Sequence, residues 1–123
     1  MKDVIIAALI FIAGVVNFIP VIGVTSRARL ERLYGTVISD ANTEILMRHR
    51  AVMFGMLGGF MIYAAVMDDL HYLAIGGGLI SMSAFIVIAY AVGGFTAQIT
   101  RINKADMLAI IALLGALALK VLG

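Results

Sequence analysis

The chain has 123 residues, 63% of them apolar and 13% charged, with a mean hydropathy of +1.12. A soluble domain is nearer half apolar and a quarter charged, so an ordinary water-soluble globule is excluded. Nine Lys and Arg against seven Asp and Glu leave a net charge of +2, and the lack of cysteine excludes disulfides, thiolate metal sites and thiol catalysis.

Charge is missing from residues 4–24, 51–67, 72–100 and 107–119. A membrane span needs about 20 mostly apolar residues, and the first three stretches meet that requirement. The fourth is short, but Lys120 can bury its stem and lift its amine to the headgroups, extending it to 105–122. These stretches predict an all-α, single-domain polytopic membrane protein with spans at about 4–24, 43–67, 70–95 and 105–122. An amphipathic helix over 26–39 joins the first two. The opening segment is long for a signal sequence, and no small-x-small cleavage site follows before Arg27, so it reads as a retained span.

In the first span, Asn17 and Pro20 are the only irregularities. Pro20 lacks a backbone donor and loosens the last turn. Asn17 shares a helical face with Ile6, Ile10, Ala13 and Val24, which predicts an interhelical hydrogen bond, with a ligand contact as the other use. The connector 25–43 opens with Arg27, Arg29 and Arg32. Leu30, Leu33, Tyr34, Val37 and Ile38 then recur at helical spacing, the pattern of a helix lying in the interface plane, although Gly35 interrupts it. Residues 39–43 offer turn and N-cap chemistry for the second span. Residues 68–71 form a polar hairpin into the third span, and residues 96–104 read as a polar loop before the fourth.

Every basic residue except Lys2 and Lys120 falls within residues 25–50 and 96–106, which lie on one side and are expected in the cytoplasm, with both termini on the opposite face. In such positions the positive charge points to topology and anionic lipid rather than nucleic acid. Arg27, Arg29, Arg32 and Arg50 are the expected headgroup contacts.

The second span divides by face at 100° per residue. Glu44, Arg48, Gly55 and Gly59 share one stripe, an i, i+4 ion pair leading into a small-xxx-small packing seam. Gly77, Ser81 and Ala84 on the third span, and Ala109, Ala112 and Ala116 on the fourth, form matching small-residue stripes. His49, Met53, Met56, Phe60 and Tyr63 share a second stripe. With Asn17 and the deep Tyr90 they form the candidate ligand pocket. His49, Met53 and Met56 hold imidazole and thioether donors, but one imidazole without a thiolate falls short of a metal site, and no metal or cofactor is expected.

The runs Leu33-Tyr34-Gly35 and Glu44-Ile45-Leu46-Met47-Arg48-His49-Arg50-Ala51-Val52-Met53-Phe54-Gly55 resemble a family of short, uncharacterised bacterial membrane proteins. Ile80-Ser81-Met82-Ser83-Ala84-Phe85 and Val92-Gly93-Gly94 extend the likeness over most of the chain, and the four-span layout is distantly similar to DoxX-like proteins. The resemblance implies a multi-pass protein of the bacterial inner membrane. Members often carry the label phosphopantetheine adenylyltransferase, an enzyme whose phosphate-binding motif ends in Gly-His. Here His49 lies between two arginines and His71 between Leu70 and Tyr72, so that activity is not expected.

No phosphate loop, HExxH motif, nucleophile elbow or paired intramembrane carboxylates occur in the chain. The expectation is a non-catalytic membrane protein that binds lipid or a small apolar ligand, or serves as an accessory subunit, as a homo-oligomer or within a larger complex. Two other functions stay open: an oligomeric small-solute transporter or channel, and a membrane enzyme using His49 and Glu44.

Overall fold

The computed structural model describes residues 2–122, with side chains for all of these except Ile22 and Val24. Val24, expected on the face of Asn17, therefore lies outside the described side chains. The described residues form five α-helices and two short 3-10 turns, with no strand among them. Four of the helices are long and apolar enough to cross a membrane.

Helix α1 (Lys2–Phe18) buries Ile6, Ile10, Ala13, Gly14 and Asn17, the face that periodicity predicts. It stops earlier than expected and tightens into a 3-10 turn over Ile19–Val24. Pro20 explains the change, because its ring removes a donor and disfavours α geometry at the residue before it.

Helix α2 (Arg27–Tyr34) is capped at both ends. The Ser26 hydroxyl accepts from the Arg29 backbone N–H at 3.2 Å, and Gly35 closes the helix in the left-handed region at φ 66°. The helix expected over 26–39 thus ends at Gly35, which lacks the Cβ that would penalise this conformation. Beyond it, the Ile38 N–H donates to Glu31 Oε2 at 2.7 Å and folds the chain back on α2.

Helix α3 (Ala41–Ala65) leads through the turn Asp68–Leu70 into α4 (His71–Val92). Two glycines of positive φ, Gly93 and Gly94, end α4 three residues before the expected 95. Helix α5 (Ala97–Leu122) departs most from expectation, starting eight residues before 105. Thr96 starts it: its hydroxyl accepts from the Ile99 N–H at 3.2 Å and donates to the Tyr34 carbonyl at 2.6 Å. One side chain therefore caps α5 and ties it to the end of α2. Arg101 and Lys104 look like loop residues in sequence, but they lie on the exposed face of these added turns.

Two apolar cores result. The main one joins Ile6, Ile10 and Ala13 of α1, Met61, Ala64 and Ala65 of α3, Ala74, Ile75 and Met82 of α4, and Ala109, Leu113 and Ala116 of α5. The second gathers Leu30, Tyr34 and Ile38 with Met47, Phe85, Ile99 and Ile102, at the end where α2 packs over the long helices.

The closest helix contact lies one residue from where the sequence puts it. A Cβ on Gly58 would meet the Phe18 backbone N at 2.6 Å and the Gly14 carbonyl O at 2.8 Å, whereas one on Gly59 would find only Phe18 Cε2 at 3.9 Å. Gly58 and Gly14 are thus the point where α1 and α3 touch backbone to backbone. Gly55 accommodates Val21. On α4 the buried positions are Ala74, Ile75, Gly78 and Met82. Gly77 and Ser81 are half-buried and Ala84 is exposed, a rotation away from the expected stripe. On α5, Ala109 and Ala116 are buried and Ala112 is half-buried.

Candidate functional site

Arg50 sits on α3 at the level of the second core, and its guanidinium is walled by three aromatic rings. The guanidinium carbon lies 4.9 Å from the centroid of Phe54, 5.0 Å from Phe85 and 5.2 Å from Tyr34. Each ring comes from a different part of the chain. Phe54 is one turn along α3, Phe85 is on α4, and Tyr34 is the last residue of α2, held there by the Thr96 hydroxyl. Ring faces carry partial negative charge and attract a cation by about 0.5–2 kcal/mol each, more where water is excluded.

Arg50 and Phe54 also line a groove of about 690 Å³ between α3 and α4. Ser81, Ala84, Phe85, Ile88 and Val92 form its α4 wall, and Phe95 and Ile99 close the end near α5. The lining is almost wholly apolar, with the guanidinium as its one charged group. No Asp or Glu among the described residues forms an ion pair with Arg50.

Asp106 is the nearest acidic influence. It is buried on the inward face of α5, and its charge and that of Arg50 act on each other beyond ion-pair distance. Tyr34 responds to both charges. Burial pushes its phenol above the ordinary value, and the Arg50 charge offsets only part of that rise. One turn before Asp106, Asn103 is 6% exposed, and both polar atoms of its side chain lack a hydrogen-bond partner among the described residues. An amide buried in that state is costly unless a small polar guest joins it.

The opposite end of the molecule carries a second polar arrangement. His71 is 1% exposed, with Nε2 3.0 Å from the Ala65 carbonyl and Nδ1 3.0 Å from Lys120 Nζ. A carbonyl only accepts and an ammonium only donates, so the proton belongs on Nε2 and Nδ1 accepts. Lys120 also donates to the Asp68 carbonyl at 3.4 Å and lies 5.7 Å from the Tyr72 ring centroid. The cluster pins the end of α3, the start of α4 and the end of α5.

The residues expected to form a pocket are not brought together. His49, Met53, Met56 and Tyr63 are exposed on the outer side of α3, and Phe60 is half-buried against the main core. Tyr90 is exposed on α4, its ring edge-on to Phe95 at 5.2 Å. Asn17 is buried on α1 against the inner side of α3, its Nδ2 donating to Met61 Sδ at 3.6 Å. The physical reason is the rotation of α3. Its buried residues Ala51, Gly58, Met61 and Ala65 centre roughly a quarter turn from the expected glycine stripe, which swings the His49 side outward.

The polar pairings at the α2 end are simpler. Arg48 Nη1 donates to Glu44 Oε2 at 3.1 Å, and Arg27 reaches the same carboxylate at 4.0 Å. Arg27, Arg29 and Arg32 are exposed on α2. Arg50, expected beside them at a headgroup, instead stands inside the ring cage at the end of the groove. Phe54, Phe85, Asn103, Asp106 and His71 escaped sequence reasoning. Only Asp106 left a signal, a carboxylate in register with Ala109 and Leu113 on the inward stripe of α5.

The fold and groove define a class: an all-helical chain with four helices able to cross a membrane and an apolar cleft ending in one arginine. No family model, curated protein or solved structure matches the chain.

Proposed function

We propose that this is a non-catalytic integral membrane protein that holds the apolar chain of a lipid or small hydrophobic ligand in the α3–α4 groove. The groove itself carries this reading: about 690 Å³ of almost wholly apolar space, within the range typical of sites that bury a small molecule. Ala84, Ile88 and Val92 of the α4 wall are exposed, so the groove is accessible from the outer surface of the helices, as entry from a bilayer requires.

Exposed Arg27, Arg29, Arg32, Arg101 and Lys104 at the α2 end support the reading that this end faces the cytoplasm across an inner membrane, with both termini on the other side. The family resemblance carries no assigned activity and adds no substrate.

Native mass spectrometry of the full chain, extracted with its surrounding lipid, tests the assignment. Ala84→Trp fills the groove from an exposed α4 position without disturbing either core. It should strip a co-purifying small molecule that the parent protein retains. A parent that carries none, or a variant that keeps it, refutes groove binding. A parent that runs only as a dimer until Ala84→Trp separates it would show the groove filled by a second copy instead.

A further inference from the structure

We infer that the groove takes an anionic amphiphile, with Arg50 holding its carboxylate or phosphate head and the α4 wall holding one hydrocarbon chain. This inference rests on the groove-binding reading and names the chemistry of its ligand.

Three observations converge on an anion. First, Arg50 is the one charged group among the described residues lining an almost wholly apolar groove. Its five N–H donors make no hydrogen bond or ion pair within the described residues, so the guanidinium offers its full fork to whatever enters. Second, the rings of Tyr34, Phe54 and Phe85 surround the guanidinium carbon at 4.9–5.2 Å. Ring faces fix the plane of the fork but cannot accept its hydrogen bonds in the way an oxygen does, so the cage orients the donors without satisfying them. A planar, pre-oriented guanidinium matches two oxygens of a carboxylate or phosphate at once. Third, Asp106, buried on the inward face of α5, forms no ion pair with Arg50, so no carboxylate of the described residues takes the position that a ligand's oxygens would take.

The dimensions favour a single chain. The α4 wall runs from Ser81 to Val92, a rise of roughly 17 Å along the helix. Ile88 and Val92 flank that path, and both are largely exposed, as residues covered by a bound chain would be without it.

The test uses the full chain in phosphatidylcholine nanodiscs, with retention of each probe read by native mass spectrometry. Palmitate, hexadecanol and phosphatidylglycerol are titrated against the parent, Arg50→Gln, Arg50→Lys and Ala84→Trp. Palmitate should bind at least about tenfold more tightly than hexadecanol, the scale set by one charge-assisted, bidentate contact. Arg50→Gln should erase that difference, and Arg50→Lys should restore only part of it. If phosphatidylglycerol displaces palmitate with the same dependence on Arg50, the anion is a headgroup of the bilayer; if it does not, the ligand is a free acid.

Equal binding of palmitate and hexadecanol, both lost in Ala84→Trp, would overturn the anionic head while leaving the groove as a ligand site. Binding of neither, or binding indifferent to Ala84→Trp, would overturn both. Should Arg50→Gln fail to fold, Arg50→Lys decides the matter: a preference for palmitate over hexadecanol undiminished in that variant refutes the assignment of Arg50.

Discussion

Substituting Gly58 and its neighbour Gly59 separately by Ala gives opposite expectations from almost the same chemistry. At Gly58 the new methyl would stand 2.6 Å from the Phe18 backbone N and 2.8 Å from both the Gly14 carbonyl O and Phe18 Cα. Ordinary contact begins at 3.4 Å, so the shortfall is 3.4 less 2.6, or 0.8 Å. Every atom in the way is backbone, so no rotamer change relieves the clash and α1 must move off α3. These two helices share the most extensive contact in the molecule, and parting them loosens Ile10, Ala13, Met61 and Ala65 together. Overpacking of this kind costs about 1–3 kcal/mol, more where backbone is the obstacle. The gain from replacing a helical glycine by alanine is at most about 1 kcal/mol and does not offset it. At Gly59 the nearest atom is Phe18 Cε2 at 3.9 Å, so the propensity gain stands alone. Gly59→Ala should therefore be neutral or stabilising, and the two variants should differ by about 2 kcal/mol or more. Equilibrium unfolding of each full-length variant in the same mixed micelle measures this difference. A Gly58→Ala protein as stable as Gly59→Ala would refute a backbone contact between α1 and α3 at this level.

Asn103→Leu exchanges an unpartnered buried amide for an apolar group of similar size and should raise stability by about 1–3 kcal/mol in the same unfolding assay. A loss instead would show that the amide has a polar partner, a bound water or ligand atom, inside the protein. His71→Ala leaves Lys120 without its nearer acceptor and the Ala65 carbonyl without its donor, at a cost of about 1–3 kcal/mol. Hydrogen exchange should speed up at residues 65–72 before it does at the α2 end. Thr96→Ala removes both the cap of α5 and the bond to the Tyr34 carbonyl, for a loss of about 1–2 kcal/mol. Because Tyr34 is one wall of the cage, that variant should also weaken palmitate retention, whereas His71→Ala at the far end should not.

The helices were legible because their signals are local. Uninterrupted apolar runs set the long elements, Pro20 marked the loosened turn though not that α1 stops at Phe18, and the i, i+4 spacing of Glu44 and Arg48 gave their pairing, seen at 3.1 Å. The first eight residues of α5 were hidden for the same reason. Gln98, Arg101 and Lys104 look like a loop when polarity is taken as the end of a span, yet Ile99, Ile102, Asn103 and Asp106 between them carry the helical period. A polar helix end makes sense only once α2 is there to cover its apolar side, and Leu30, Tyr34 and Ile38 supply that cover from more than sixty residues away.

The site was hidden for a deeper reason. A helix that is apolar all round contains no internal mark of which side meets protein, so the face of α3 had to be guessed from its glycines. Gly55 and Gly59 form the tidier pair, but Gly58 makes the contact, and a displacement of that size turns the whole helix. His49 and Arg50 are adjacent and differ by 100° in direction. The rotation carries the imidazole outward and leaves the guanidinium between α3 and α4. What sets Arg50 apart from the other arginines is therefore not its charge but the rings around it. Arg27, Arg29 and Arg32 are exposed on a short helix, where an anion meets them on equal terms with water. Arg50 meets an anion at the end of an apolar cleft, in a fork held by Tyr34, Phe54 and Phe85. There a charge-assisted bond is stronger than in water, and a chain of matching polarity has somewhere to lie.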